Sequence, residues 1–250
     1  MMPTLIERAA EIAQFLNLPF DDCLARLSEG WFILHHAVTE DFRRADPKTE
    51  EELLDWYRNT DSYIYELSAY HLDPEFNYFG MCYGGATTLQ AMGVKSVLCL
   101  GDGIGDLTLY LARMGFEATY HDLRGSRTAL FAAARLSTYC LNPPQQLLTD
   151  SWDPTPLVGQ QFDAVVSFDF LEHVPNIPEW ATAIYACLNP GGRFFVVNRF
   201  ATGSGPDGGM PMHLEVNDRY VEEWVPLLQG IGFEQTSGDW FVKKVMVEGR

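Results

Sequence analysis

Apolar residues fall at Leu5, Ile6, Ala9, Ile12, Ala13 and Leu16, and again at Leu24, Leu27, Trp31 and Leu34. Intervals of three and four are the period of a helix that buries one face, so residues 4 to 92 are predicted to be helical. Residues 51–70 repeat the pattern with unusual aromatic weight, carrying Trp56, Tyr57, Tyr63, Tyr65 and Tyr70, with Phe76, Tyr78, Phe79 and Tyr83 close behind. From Val94 the pattern changes. Short apolar runs near 96–100, 117–121, 145–149, 162–168 and 193–198 read as strands, with helices near 105–115, 125–139 and 177–187 between them. Asn189-Pro190-Gly191-Gly192 is a turn that stops one helix and launches the next strand. A final helix near 217–229 precedes two alternating segments, 233–237 and 240–247, predicted to form a hairpin around Gly238-Asp239. The expected fold is α/β, a doubly wound sheet over residues 94–250 with a C-terminal antiparallel hairpin and an N-terminal helical lid over residues 1–93.

One junction in this pattern points to a ligand. Val97-Leu98-Cys99-Leu100-Gly101-Asp102-Gly103-Ile104-Gly105 is an apolar run ending in three alternating glycines. A buried parallel strand that turns sharply into a helix leaves this trace, and glycine lets a ligand approach the backbone closely. The dinucleotide fingerprint requires a further glycine three residues after its second one. Here those places hold Asp106 and Thr108. An acid at the helix start repels a pyrophosphate but tolerates an ammonium and a sulfonium. Asp122 ends the run Ala118-Thr119-Tyr120-His121, about the distance downstream at which an acid takes ribose hydroxyls in such folds. An adenosyl sulfonium satisfies both ends.

Composition narrows the partners. With 250 residues, 47% hydrophobic, the chain can bury a substantial core. A formal charge of -17 disfavours nucleic acid and anionic membranes, which bind through clustered Lys and Arg. The acid run from Asp41 to Glu66, including Glu50-Glu51-Glu52, reads as a solvated helical face. Cys23, Cys82, Cys99, Cys140 and Cys187 are far apart and form no C-x-x-C pair, which predicts a reducing, cytoplasmic compartment without disulfides or zinc. His35 and His36 are adjacent and cannot face one ion from a helix, so no metal is expected. No export signal or membrane span is predicted. The glycine-rich stretch Ala201 to Met210 is expected to be a mobile loop beside the site.

Five stretches in order carry a family resemblance: Val97 to Gly105, Asp122, Asp150 with Ser151, Phe162 to Val174, and Leu188-Asn189-Pro190-Gly191-Gly192. Together they resemble the ordered motifs of class I S-adenosylmethionine-dependent methyltransferases of the small-molecule type. The resemblance implies a Rossmann-like seven-stranded sheet and S-adenosyl-L-methionine as cofactor, with S-adenosyl-L-homocysteine as product. It implies that Gly101, Gly103 and Gly105 shape the turn around the methionine part and that Asp122 holds both ribose hydroxyls. Asp150 and Ser151 would bracket the adenine while Leu123 offers an apolar face. Phe168 and Asp169 would sit near the methionine ammonium and the transferring methyl. The family often has an acid at the place of Cys99, and its supporting contact is expected from Asp102 or Asp106 instead. Cys99 itself is expected to be a small buried apolar residue.

Methyl transfer to a hydroxyl or protonated amine also needs a base. His173, with Glu172 beside it, is the first candidate, because related small-molecule N-methyltransferases use a Glu-His pair at the matching place; His213 and His71 follow. The same pair has a second reading, as residues that shape the loop or help hold the cofactor. The aromatic segment likewise has two readings, packing against the sheet or a lid whose rings meet substrate and sulfonium, with Tyr78 at the cofactor and Tyr63, Tyr70, His71 and Phe170 at the substrate. The favoured function is methyl transfer to oxygen or nitrogen of a small metabolite or natural-product intermediate. Aminopropyl transfer and a noncatalytic cofactor-binding partner are the alternatives.

Overall fold

The computed structural model describes residues 3–200 and 211–244; the expected loop 201–210 and the end of the expected last strand, 245–247, lie outside the described residues. Six helices come first: α1 (Leu5–Leu16), α2 (Phe20–Leu27), α3 (Trp31–Ala45), α4 (Glu50–Asn59), α5 (Ser62–Leu72) and α6 (Tyr78–Ala91). Two of their starts are written locally. Thr4 and Glu7 form a capping box at α1, and Thr49 and Glu52 form another at α4, so the Glu50-Glu51-Glu52 run is the exposed first turn of a helix, where its charge suits the helix dipole.

The sheet follows as β1 (Ser96–Leu100), α7 (Asp106–Arg113), β2 (Glu117–Leu123), α8 (Arg127–Tyr139), β3 (Gln145–Thr149), β4 (Phe162–Phe168), α9 (Ile177–Cys187), β5 (Leu188–Val197), α10 (Tyr220–Ile231), β6 (Phe233–Ser237) and β7 (Trp240–Lys243). Its strand order is β3-β2-β1-β4-β5-β7-β6. The first five strands are parallel and β7 pairs antiparallel with β5 and β6, which is the expected doubly wound sheet with a C-terminal hairpin. Alternation along β1 explains the two layers. Leu98 and Leu100 pack with Trp180, Ile184 and Phe194 on the α9–α10 side, while Val97 and Cys99 pack with Leu107, Leu111 and Ala86 on the α6–α7 side. Cys99 is fully buried there, and burial pushes its thiol well above the usual range.

α7 and α8 are one to two residues shorter at their ends than the sequence reading has them, and three further boundaries differ. β2 runs two residues further, so Asp122 and Leu123 are still strand residues. β5 starts at Leu188, and the Asn189-Pro190-Gly191-Gly192 turn is an outward excursion inside it, since Phe162 pairs with Leu188 but Ala164 with Arg193. Asn189 Nδ2 donates to Asp163 Oδ1 at 2.8 Å across this excursion. The last helix begins at Tyr220, after a short 3-10 turn at Glu215–Asn217. Finally, α6 packs directly on the sheet through Phe79, Cys82, Ala86 and Leu89, whereas α1, α2, α3 and α5 share a separate core with Ile104 and Phe131.

Candidate active site

The turn from β1 into α7 has positive φ at Gly101 (67°), Gly103 (49°) and Gly105 (77°). Each glycine is also enforced by a neighbour. A Cβ would lie 2.3 Å from the Phe170 ring at Gly101, 2.7 Å from Leu67 Cδ1 at Gly103, and 2.9 Å from Ala132 Cβ at Gly105. The last two contacts join the loop to α5 and α8. At the end of β2, Asp122 accepts from Gly103 N and Leu123 N, both at 2.7 Å, and burial pushes its carboxyl up to about 6 against these bonds. Tyr120 Oη donates to Gly103 O at 2.7 Å, so strand and loop are locked at the spacing the sequence showed.

Two acids of this loop do other work than expected. Asp102 accepts from Leu107 N at 3.1 Å and Thr108 N at 2.7 Å, so its carboxylate is spent on the free N–H groups of the buried first turn of α7. Asp106 is 2% exposed and meets Arg8 Nη2 at 2.8 Å, Arg135 Nη2 at 2.7 Å and His71 Nδ1 at 2.7 Å. Burial would raise its carboxyl, but Arg135 and Arg8 hold it well below the usual range. Its charge is therefore compensated, and the repulsion of a pyrophosphate argued from its position does not operate. Glu11 closes the hub by pairing with both arginines. His71 is buried and stacks on Tyr78, with centroids 3.6 Å apart; both line the cleft. Burial outweighs Asp106 and lowers the His71 pKa.

At the carboxyl end of β4, Asp169 has φ of 47°, unusual for a residue with a side chain, and its N–H donates to Val197 O at 2.8 Å. Tyr70 Oη donates to Asp169 Oδ2 at 3.4 Å, and Arg199 Nε lies 3.7 Å from Oδ1. Burial raises the Asp169 pKa although Arg199 opposes it. Phe168, Asp169, Phe170 and His173 all line the cleft. Glu172, expected at the rim, does not: it is fully buried behind the wall, where Oε1 accepts from Arg199 N at 2.8 Å. Burial, then Asp169, pushes its carboxyl up to about 8.

His173 Nδ1 lies 3.1 Å from Met212 O and 3.0 Å from Tyr57 Oη. A carbonyl only accepts, so Nδ1 carries the proton and the lone pair is left on Nε2. Burial, then the nearby His213, lowers the His173 pKa to about 3, which keeps the ring neutral. His213 meets it edge-on at 4.8 Å and lines the same cleft.

Beyond β3, Ser151 and Leu123 line the cleft, but Asp150 does not. Its carboxylate is exposed and pairs with Arg124 Nε at 2.9 Å. Thr149 and Trp152 line the cleft in its neighbourhood instead. The sequence reading also missed Trp31, His35, Tyr57, Glu66 and Arg199. One signal was available for Glu66: Tyr63, Glu66, Leu67, Tyr70 and His71 fall at helical spacing, and all five line the cleft from one face of α5. No pattern in the sequence marks Arg199, which reaches the site only through the β4–β5 pairing.

Among the described residues there is no cluster of His, Cys, Asp and Glu arranged to hold a metal, and no helix is long and apolar enough to cross a membrane.

Known proteins resemble this arrangement. Residues 98–194, the stretch from β1 into β5, match a family profile described as "Methyltransferase domain". The chain is 34% identical over 113 residues to the ubiquinone biosynthesis O-methyltransferase of Paramagnetospirillum magneticum (strain ATCC 700264 / AMB-1), covering 42% of this chain and 42% of that protein. The match thus spans less than half of that curated relative. An O-methyltransferase family protein from Burkholderia thailandensis superposes with a TM-score of 0.54 at 15% identity, over 86% of this chain and 71% of that one. Phosphoethanolamine N-methyltransferase 2 of Haemonchus contortus, solved in complex with S-adenosyl-L-methionine, does so with a TM-score of 0.52 at 17% identity, over 75% and 45%. At these identities the two structures share the fold, a Rossmann-like α/β sheet. The chain is similar to class I S-adenosylmethionine-dependent methyltransferases, and the similarity in sequence lies in the β1–β5 stretch.

Proposed function

We propose that this chain transfers the methyl group of S-adenosyl-L-methionine to an oxygen of a small organic acceptor held between the sheet and helices α3–α5. One observation carries the reading: the stretch that matches a methyltransferase domain also walls the cleft where the glycine turn, Asp122 and His173 meet. The cleft fits the cofactor. Gly101 and Gly103 line the cleft, whereas Gly105 packs on Ala132 outside it, and Asp122 is oriented by two backbone N–H groups beside that turn. When bound, the cofactor supplies an electrophilic methyl on a sulfonium. Of the residues that line the cleft, Ser151, Leu123 and Thr149 would hold its base, and Phe168 and Asp169 its methionine part.

His173 Nε2 takes the hydroxyl proton of the acceptor as the oxygen attacks, while Nδ1–H stays on Met212 O and fixes the ring. The ring is neutral at rest, so no proton has to leave it first, and burial lowers its basicity, so it takes the proton in concert with methyl transfer and not ahead of it. The row Tyr57, Tyr63 and Tyr70 holds the acceptor and excludes water, so that alignment lowers the barrier. Glu172 supports the loop that carries His173 through Arg199 N and Leu214 N, and does not touch the acceptor. In this reading residues 1–93 supply the cap and residues 94–250 hold the cofactor. The net charge of -17 favours a small molecule over a polyanion, and the five free thiols suit a reducing cytoplasm.

Titration calorimetry with S-adenosyl-L-homocysteine, followed by incubation of extracts with methyl-labelled cofactor, tests the reading. Micromolar binding and label in a small product are expected. Preference for decarboxylated S-adenosylmethionine would point to aminopropyl transfer, and binding without any labelled product to a noncatalytic partner.

A further inference from the structure

The cleft contains a carboxylate for which the methyl-transfer chemistry has no use. Glu66, on the cleft-facing side of α5, is 7% exposed. Its Oε1 accepts from Trp31 Nε1 at 2.8 Å and lies 3.3 Å from His35 Nδ1, both on α3. No hydrogen bond to Oε2 is seen, and it is not one of the fully buried atoms left without a partner, so this oxygen is open to the cleft that Glu66 lines. The other charges near it are engaged elsewhere: Arg199 faces Asp169, and His71 faces Asp106. Around the carboxylate stand aromatic faces. Trp31 stacks on His35 at 4.9 Å and lies 6.1 Å from Tyr70, and Trp31, Tyr63 and Tyr70 all line the cleft.

We infer that Glu66, walled by Trp31, Tyr63 and Tyr70, binds an ammonium group of the acceptor, so that the substrate is a small amine that also bears the hydroxyl to be methylated. The inference rests on the methyl-transfer reading and assigns its substrate class. Oε2 supplies a charge-assisted hydrogen bond, and the ring faces supply cation–π attraction. An amine held there is protonated and has no lone pair to attack with, so it serves as an anchor while a hydroxyl meets His173. Glu66 is fixed to α3, whereas the residues toward the cofactor belong to the sheet edge and the glycine turn. Because Tyr70 also donates to Asp169 at 3.4 Å, it is the affinity for S-adenosyl-L-homocysteine that separates an acceptor anchor from a contact to the cofactor's own ammonium.

The probes are 2-phenylethylamine and its neutral counterpart 2-phenylethanol, titrated into the full chain at pH 7.5 with and without saturating S-adenosyl-L-homocysteine. The wild type is expected to bind the amine at least ~10-fold more tightly, as one charge-assisted bond allows. Glu66→Gln is expected to abolish the preference while its affinity for S-adenosyl-L-homocysteine stays within about twofold. Equal binding of the two probes, or no binding of the amine, overturns the inference, as does a preference that persists in Glu66→Gln. A loss of S-adenosyl-L-homocysteine affinity as large as the loss of amine affinity also overturns it, because Glu66 would then hold the cofactor. Should Glu66→Gln fail to fold, the preference of the wild type decides. If the wild type does not bind S-adenosyl-L-homocysteine at all, it is the methyl-transfer reading that fails.

Discussion

The sheet edge and the helical cap face each other across one cleft, yet they are built by different means. At the edge the contacts that matter are short in sequence: Gly103 N reaches Asp122 over 19 residues, and Asp102 caps α7 over five and six. In the cap they are long: Tyr57 meets His173 over 116 residues, and Tyr70 meets Asp169 over 99. The edge uses backbone N–H groups and glycines, whose positions follow from the strand-turn-helix path itself. The cap uses side chains whose partners are chosen by packing. A site of this kind holds one ligand by a fixed spacing and leaves the other to be defined by tertiary contacts.

Four perturbations separate the two regions. The largest effect is expected from His173→Ala, where the cap and the β4 loop meet. Turnover should fall by roughly 10²- to 10⁴-fold, while S-adenosyl-L-homocysteine affinity changes less than about threefold. Initial rates and calorimetry check this, and a collapse of affinity with an unchanged rate per bound complex would remove the base role.

Next comes the hub that ties the cap to the edge. Asp106→Ala leaves Arg8 and Arg135, 0% and 3% exposed, with Glu11 alone as the carboxylate they share among the described residues. Breaking a buried pair in this way costs about 3–5 kcal/mol. Urea denaturation reads it directly, and a loss below about 1 kcal/mol would mean that the arginines relax to water and the hub does not join the regions.

Asp122→Ala acts on the edge alone. It should weaken S-adenosyl-L-homocysteine binding by ~10-fold or more, as expected for the loss of a charge-assisted hydrogen bond. An unchanged dissociation constant would refute its contact with the ribose.

The smallest effect is a pH dependence of stability. Glu172 titrates near 8 in the folded chain against an ordinary value of 4.5, and Asp102 near 7 against 3.8. A raised carboxyl favours the folded state at low pH, and that contribution is lost as pH rises through the folded value. His173, lowered to about 3 from 6.5, acts in the opposite sense but only below 6.5. Between pH 6.5 and 8 the carboxyls therefore set the slope, at most roughly 1.4 kcal/mol per pH unit for each group protonated only in the folded state, and the slope fades above pH 8 once both are ionised in both states. Thermal melts should show Tm falling over this window, and Glu172→Gln should flatten the fall. A Tm that is level from pH 6.5 to 8 in the wild type would contradict the buried protonated state of Glu172.

The limits of the sequence are visible in particular residues. β1, β3, β4, α9 and β6 have the predicted bounds because apolar runs and flanking turn residues report burial directly. The bounds slipped at β2 and β5, where pairing with a neighbouring strand extends the ladder past the apolar run. Asp150 shares a stretch with Ser151, yet a one-residue step along the chain turns its side chain outward to Arg124. Asp102 and Asp106 look like ligand contacts because acids in a glycine turn are conspicuous, but an adjacent helix start and two distant arginines claim them first.

By itself the sequence determined the order of strands and helices, the glycine turn and its acid on the next strand, since these depend on period and short spacing. Which charges are compensated, which imidazole nitrogen is free, and that Glu66 faces the rings of α3 and α5 were decided only in the tertiary structure. The physical reason is that a side chain's protonation and partners depend on burial and on groups many tens of residues away, and neither is encoded in local pattern.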